Sequence, residues 1–380
     1  MRVVFLTALL PQYRVQFHEL VRNRLAQANV QYDLIYGQPS DEEAAKGAEA
    51  HVAWGNRILN HYITVGNTSL VWQPALANIW NCDLAILGQE NRFLINYVAQ
   101  GFRKFRRSKI GLWGHGRNFQ LDLVGGPSEH WKRFWATRCD WWFGYTEQTR
   151  KIVEAYGFPA ERITVFHNAV DTSDIQRLAR EITEHDLAAL RRRLDIDTDH
   201  IGVYVGGIYH HKRIGFLIKC AIEIHRRVPD FVLVIVGSGS EREQVEAAAQ
   251  VYPWIRFIGP RFGRDKVEVL RLGRVFMMPG LVGLAVLDCA AAGIPIVTTA
   301  YPYHSPEIAY LQSGRNGLIV EDWRSVRAYT DAVVSMLHDA TLRAKLAHGG
   351  NEIARTYTIE RMVSCFCDGV MQALRANRKD

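Results

Sequence analysis

Residues 275–297, VFMMPGLVGLAVLDCAAAGIPIV, decide how this chain folds. Val275–Met278 is a short apolar run of the kind a parallel strand needs when both of its faces are covered. Pro279, Gly280 and Gly283 break the run into a loop, and leucine, valine and alanine then build a small-residue helix. Gly293 and Pro295 stop that helix, and residues 294–299 return to strand. A loop that thins to glycine before a helix brings bare amides to the positive end of the helix dipole, which is a seat for a diphosphate. The same glycines equally fit a plain reversal of the chain. Asp288 is the only charged residue between Arg274 and Glu307. A carboxylate in an apolar helix costs free energy, which either a structural hydrogen bond to a neighbouring loop or a ligand would offset. The stretch does not read as a membrane span, because Asp288, Gly293 and Pro295 divide it into halves too short to cross.

The same rhythm runs along the whole chain. Strands are expected at 2–7, 31–36, 61–65, 84–88, 109–113, 141–146 and 163–167, with helices such as 15–27 and 146–156 between them. The second half repeats it, with strands at 201–206, 231–237, 255–259, 275–278, 294–299 and 317–320. Amphipathic segments at 213–227, 240–250, 263–273, 283–292 and 324–338 separate these. Such alternation means parallel sheets flanked by helices. Two α/β, doubly wound, Rossmann-like domains are expected, spanning 1–170 and 171–357 and facing across a cleft. A final helix at 358–380 would cross back to the first. Ligands in such sheets bind beyond the carboxyl ends of strands, which points to the loops at 8–14, 88–92, 113–119, 206–212, 237–240, 259–263 and 279–283.

Composition agrees with two full cores. The chain's 380 residues exceed one ordinary core, and 48% hydrophobic content excludes a disordered chain. The N-terminus, MRVVFLTALLPQ, has an apolar run of only eight residues that ends at Pro11 without a small-residue cleavage site, so it reads as a first buried strand. Cys82, Cys139, Cys220, Cys289, Cys365 and Cys367 show no metal-binding spacing, and a reduced cytoplasmic protein is expected. A net charge of +7 favours an anionic partner. The densest basic cluster, Arg103, Lys104, Arg106, Arg107 and Lys109, closes an expected helix from Arg92 with Leu94, Val98, Phe102 and Phe105 as its apolar stripe. Those cations fit two roles, complements to the helix dipole or a basic face on anionic lipid on the inner side of the cell membrane. No recognition module for nucleic acid accompanies the charge.

Residues 202–218, GVYVGGIYHHKRIGFLI, read as a strand stopping at Gly206-Gly207 and a helix beginning near Arg213. Lys212, just ahead of that helix, fits either a point charge on a phosphate or a solvated surface lysine. His210 and His211 add donors, and a metal role would need a third ligand the sequence does not place. In VGSGSERE, 236–243, Ser240 and Glu243 have capping-box spacing, so the turn around Gly237 reads as mainly structural.

Together these segments resemble the retaining glycosyltransferases of family 4 (glycosyltransferase group 1), which have the two-domain GT-B fold. Residues 203–213 look like that family's G-R-L-x-x-x-K donor-phosphate motif, and HNAVDT, 167–172, is similar to its N-G-V-D interdomain segment. SPEIAYLQSGRNGLIV, 305–320, resembles its P-E-I…G-x-N-G-x-x-V signature, and 283–297 its E-x7-E region. WGHGRN, 113–118, places His115 where the family keeps a histidine near the donor sugar; taken alone, a histidine between glycines is more often a turn residue. Pro11, Tyr13 and Arg14, with Arg117, fall where the family handles its acceptor. The chain departs from the pattern twice: Gly207 replaces the phosphate-binding arginine, and Gly280 and Asp288 replace the two acids of E-x7-E.

The resemblance implies transfer of a sugar from a nucleoside diphosphate donor, UDP-linked in the first instance, to a saccharide or lipid-linked acceptor in bacterial polysaccharide or glycolipid assembly. It implies His115 and Lys212 as catalytic groups, and no cofactor or metal. The donor set it implies is Gly206, Gly207, His211, Lys212, Gly237, Ile258, Arg261, Gly280, Gly283, Leu284 and Asp288. Two alternatives stay open: a sugar-nucleotide-binding protein without turnover, and an epimerase or phosphorylase on the same architecture.

Overall fold

The computed structural model describes all residues except 41–48, 67, 103–106, 118–126 and 378–380. The chain divides into two compact units, Met1–Asn168 with Ile359–Asp380, and Ala169–Thr358.

The first unit holds β1 (Arg2–Thr7), β2 (Gln31–Tyr36), β3 (Asn56–Arg57), β4 (His61–Val65), β5 (Thr68–Trp72), β6 (Leu84–Gly88), β7 (Lys109–Gly114), β8 (Trp141–Gly144) and β9 (Ile163–Val165). Seven of these form one sheet in the order β3-β2-β1-β6-β7-β8-β9, and every pairing in it is parallel. The order reverses between β1 and β6, so the loops after those two strands flank the crevice of a doubly wound sheet. One expectation fails here. The strand at 61–65 lies outside the parallel sheet and pairs antiparallel with β5, His61 opposite Trp72 and Val65 opposite Thr68. Its alternating residues are mostly exposed, whereas a central parallel strand such as β6 is buried along its length.

The second unit holds β10 (Ile201–Val205), β11 (Val232–Val236), β12 (Ile255–Phe257), β13 (Val275–Met277), β14 (Ile296–Thr299) and β15 (Gly317–Val320). Their order is β12-β11-β10-β13-β14-β15, again all parallel. The reversal falls between β10 and β13, whose following loops are the glycine-bearing segments 206–213 and 278–284. All five residues of β11, VLVIV, are buried, as a strand covered on both faces requires. Helix Ala285–Ala292 ends at Gly293 in the left-handed region, φ 77°. Its small side chains let helix Ala340–Thr356 approach: a Cβ on Gly350 would lie 3.4 Å from the Ala290 Cα.

Several local expectations are corrected. The helix expected from Arg92 to Arg107 spans Leu94–Gly101 and buries Ile95, Asn96, Ala99 and Gln100, one position away from the stripe expected. Arg103, Lys104, Phe105 and Arg106 lie outside the described residues. Lys109 does not belong to a basic face, because its Nζ donates to the carbonyls of Ala373, Leu374 and Ala376 at 2.9, 2.7 and 2.6 Å. It thus caps the C-terminal end of helix Ile359–Arg375, where orphan carbonyls and the negative dipole end attract a cation. Ser240 and Glu243 form no capping box: helix Arg242–Val251 starts after Glu241 without a side-chain cap, and backbone bonds from Glu241 N to Ile208 O and from Arg242 N to Gly239 O close the turn. All six cysteines are free thiols. Among the described residues no helix is long and apolar enough to cross a membrane.

Candidate functional site

In the second unit three loops are stitched together beyond the carboxyl ends of the strands. Gly206 N donates to Val236 O (3.0 Å), Ile208 N to Ser238 O (2.9 Å) and Gly237 N to Gly259 O (3.1 Å). Gly237, at φ 149°, would carry a Cβ 1.9 Å from the Gly206 carbonyl oxygen, so only glycine lets the two loops meet. Gly237, expected in the donor set, thus stands where a steric requirement for glycine accounts for it. Ile258, half-buried, and Arg261, exposed, follow β12, and the Arg261 guanidinium donates to Pro260 O at 2.8 Å.

The turn Tyr209–Arg213 meets the PGLVG loop most closely. Leu281 N donates to His211 O (2.8 Å), Lys212 Nζ to Leu281 O (2.6 Å) and Arg213 Nη1 to Pro279 O (3.2 Å). A Cβ on Gly280 would lie 2.3 Å from His211 O and 2.6 Å from Lys212 O. The backbone of the lysine turn thus fills the space in which a glutamate stem at position 280 would begin, so the acid that the resemblance leads one to expect there does not fit this arrangement. Lys212 is not a solvated surface lysine: it is 7% exposed, and burial lowers its pKa from 10.5 to about 8. Its Nζ also lies 3.8 Å from the Met278 sulfur. Gly207 keeps an ordinary φ; a Cβ there would meet the edge of the Tyr209 ring at 2.8 Å. His211 shares a 3.2 Å hydrogen bond with the Tyr301 hydroxyl.

Residues that sequence reasoning passed over hold this loop. His304 accepts from Val282 N at Nδ1 (2.9 Å) and donates from Nε2 to Thr299 O (2.8 Å), so both ring nitrogens are committed in the neutral tautomer. Its pKa falls to about 4, mainly through burial, against the opposing bond to Thr299. The hydroxyls of Thr298 and Thr299 donate to Met278 O and Pro279 O at 2.7 and 2.8 Å. A histidine and two threonines in TTAYPYHS, 298–305, were the visible signal, but their partner is a loop twenty residues away. The helix that follows begins at Ala285, and among the described residues the amides of Gly283, Leu284 and Ala285 form no hydrogen bond. That leaves donors at a positive helix end, as an anion seat requires.

Asp288, one turn further on, is not a lone charge. Lys266 Nζ from helix Gly263–Leu272 donates to its Oδ1 at 3.0 Å, and both side chains are partly exposed. The ion pair explains how an apolar helix tolerates the carboxylate, and among the described residues its other oxygen accepts no hydrogen bond.

The residues expected on the acceptor side, and His115, all lie in the first unit. Pro11, Tyr13 and Arg14 follow β1 and line a pocket with His18, Arg92, Trp113 and Tyr145 at the sheet's reversal point. Arg14 is buried, donates to Asn168 Oδ1 and to the Met362 sulfur (3.5 Å), and lies over the rings of Tyr13 and Trp113 at 5.0 and 5.8 Å. Tyr13 is exposed. His115 follows β7 with its ring 4.0 Å from that of Tyr145, and Tyr145 in turn accepts from Trp113 Nε1 at 2.7 Å. Gln89 fixes the loop reciprocally, donating to Gly116 O (3.0 Å) and accepting from Gly116 N (3.1 Å). Burial, then the charges of Lys132 and Arg14, lower the His115 pKa to about 3, so the imidazole is neutral at physiological pH. Arg117 is half-buried on the same loop. His18, missed by the sequence analysis, bonds to the Tyr32 hydroxyl at 2.8 Å and is likewise held neutral by burial, at about 3.

With this geometry in place, the whole chain superposes on known structures. HepE of Anabaena, solved in complex with UDP, matches with a TM-score of 0.72 at 12% identity, over 98% of this chain and all of that one. The fold is GT-B. Residues 199–339, most of the second unit, match the family model described as Glycosyl transferases group 1. The D-inositol 3-phosphate glycosyltransferase of Salinispora tropica is 26% identical over 243 residues, 60% of this chain and 49% of that protein. The alpha-D-kanosaminyltransferase of Streptomyces kanamyceticus is 29% identical over 180 residues, 43% of each. The chain spans about half the length of these curated relatives.

Proposed function

We propose that the protein transfers a sugar from a nucleoside diphosphate, UDP in the first instance, to a saccharide or lipid-linked acceptor alcohol, with retention of anomeric configuration. The observation that carries this reading is the seat at the β10/β13 reversal, where a buried, desolvated lysine and three uncommitted amides at a helix start share one pair of stitched loops. The group 1 match over the same residues supports it, as do the glycosyltransferase relatives.

Charge builds on the departing diphosphate as the glycosidic bond breaks. Groups fixed in advance around that charge lower the barrier most, because they need not reorganise. Lys212 and the amides of Gly283 and Leu284 take that role, and Gly206, Gly207 and His211 border the phosphates. Asp288 accepts from the ribose hydroxyls through the oxygen that Lys266 does not hold, and the turn from Ile258 to Arg261 flanks the base. His115, as a neutral imidazole, donates to or accepts from a sugar hydroxyl. Pro11, Tyr13, Arg14 and Arg117 receive the acceptor. The departing phosphate takes the acceptor proton, and the arrangement calls for no metal. A second reading, nucleotide binding without turnover, draws on one observation: Lys212 already spends a hydrogen bond on Leu281 O.

The test is a transfer assay with UDP-, GDP- and dTDP-sugars against a panel of saccharide and lipid-linked acceptors, with the product's anomeric proton read by NMR at early times. A product of the donor's own configuration supports the reading. An inverted product overturns retention, and tight nucleotide binding without product across the panel favours the second reading.

A further inference from the structure

We infer that His18 is a specificity-determining residue of the first unit: its imidazole presents one fixed Nε2–H donor to the pocket beyond β1, where an oxygen of a sugar ring receives it. The inference rests on the proposed function in calling that sugar the acceptor.

His18 stands on helix Val15–Gln27, is 3% exposed, and forms part of the pocket wall with Phe5, Phe93, Trp113 and Tyr145. Behind it, Nδ1 shares a 2.8 Å hydrogen bond with the hydroxyl of Tyr32, which does not line the pocket. The direction of that bond decides the tautomer. Tyr32 is 4% exposed, and burial raises its pKa well above the ordinary value, so the phenol keeps its proton. Among the described residues its oxygen meets no other hydrogen-bond partner. A buried O–H needs an acceptor, and Nδ1 is the one within reach. The Tyr32 O–H therefore donates to Nδ1, which leaves the proton of the neutral imidazole on Nε2. Nε2 itself forms no hydrogen bond among the described residues. Edge contacts with Phe5 and Phe17, at 4.9 and 5.1 Å between ring centroids, hold the imidazole plane.

A fixed donor in an aromatic wall sorts the occupants. The cavity measures about 190 Å³, below the ~300–1,000 Å³ of a drug-sized ligand site, which suits one ring. An acyl chain would cover the apolar walls but bury the N–H without an acceptor, which is unfavourable. A sugar ring lays its C–H face on the aromatic side chains and brings oxygens to the donor. The loop after β1 is tied down before anything binds: Gln73 Nε2 donates to Thr7 O (3.0 Å), Thr7 Oγ1 to Leu9 O (3.0 Å) and Asn60 Nδ2 to Ala8 O (2.8 Å). Little ordering is left for the ligand to impose.

Nitrogen-15 NMR of the full chain labelled in histidine reads the tautomer directly, with His18→Gln assigning the resonance. Nε2 should carry the proton in the wild type, and Tyr32→Phe should release the lock and give a mixture of tautomers. Saturation-transfer NMR then scores the methyl glycosides of glucose, galactose, mannose and N-acetylglucosamine, beside dodecyl phosphate as a lipid probe, with no nucleotide present. At least one glycoside should bind the wild type. His18→Phe combined with Tyr32→Phe removes both partners of the buried hydrogen bond, so neither is left unsatisfied, and should weaken that glycoside by about tenfold. His18→Gln, which keeps a side-chain N–H, should recover part of the loss. Circular dichroism and the unfolding midpoint check that each variant folds. A wild-type proton on Nδ1, equal glycoside binding by the double variant, or binding of dodecyl phosphate but no glycoside would overturn the inference, as would no binding at all. Titrating UDP, GDP and dTDP into the same proteins separates this from the transfer reading. A double variant that binds both nucleotide and glycoside as the wild type does refutes the role of His18 alone. Glycoside binding that depends on His18, in a protein without affinity for any of the three nucleotides, refutes the transfer reading and supports the sugar pocket.

Discussion

Replacing Lys212 with methionine keeps the aliphatic stem and removes the charge, and the structure says what this does in two separate currencies. Burial lowers the lysine pKa from 10.5 to about 8, which means that holding the ammonium in the fold costs about 3 kcal/mol relative to the unfolded chain. Lys212→Met removes that cost but leaves the Leu281 carbonyl without its 2.6 Å donor, at about 1–3 kcal/mol. The variant should therefore be as stable as the wild type to within about 2 kcal/mol at neutral pH. The pH dependence carries the sign. A lysine whose folded pKa lies below its unfolded value makes the unfolded chain bind the extra proton between about pH 8 and 10.5, so wild-type stability gains from this residue as pH rises through that window. Lys212→Met should lack that gain. Turnover should fall by ~10²–10³, the usual loss when one preorganised group is removed from a developing anion, and wild-type kcat/KM should decline above about pH 8 as the ammonium deprotonates. Urea denaturation across pH, run beside a transfer assay, separates stability from activity. A variant that is destabilised by more than 3 kcal/mol, roughly the largest cost of an unsatisfied carbonyl, yet turns over normally would make Lys212 a structural tie and refute the reasoning.

Three further outcomes follow from the same geometry. His115→Ala should lower kcat more than donor affinity, because a neutral imidazole on a sugar hydroxyl acts mainly in the transition state; wild-type transfer by the variant would remove His115 from the site. Gly280→Ala places a methyl 2.3 Å from the His211 carbonyl and should cost about 1–3 kcal/mol and most donor binding, whereas Gly283→Ala, with 3.7 Å to Ser305 Oγ, should leave stability within ~0.5 kcal/mol. His18, His115 and His304 are all held neutral, at about 3, 3 and 4. The unfolded chain takes up those protons first, so stability should drop as pH falls below 6.5, by about 1.4 kcal/mol per pH unit for each histidine, and His304→Gln should make the acid limb shallower.

The sheets were legible because parallel strands covered on both faces are written as unbroken apolar runs, and helix Val15–Gln27 because its apolar spacing has a single solution. Less legible was what depends on a partner distant in sequence. The run at 61–65 alternates like a sheet strand, and only its exposure shows that it forms a separate hairpin. Lys109 looked like one of a basic cluster until the last helix brought it three carbonyls. At the site, the positions of Lys212, Gly283 and Asp288 could be read from loop and helix signals. The partners Leu281 O, His304 and Lys266 could not, because each bond crosses between loops or helices that meet only in the folded unit. Gly280 shows the difference best. In the sequence it is a missing acid; in the fold it is the one residue small enough to let the lysine turn touch the PGLVG loop.

A diphosphate seat in the second unit is the centre of the proposed function, and nucleotide binding tests it most directly. Thermal unfolding should be followed with UDP, GDP and dTDP at increasing concentration, in the wild type and in Lys212→Met. One nucleoside diphosphate, UDP in the first instance, should raise wild-type stability by about 2.7 kcal/mol when present at 100 times its dissociation constant, and the same concentration should do little for the variant. If none of the three shifts the wild type, or if the variant responds equally, the diphosphate does not lie between the lysine turn and helix Ala285–Ala292, and the proposed function loses its site.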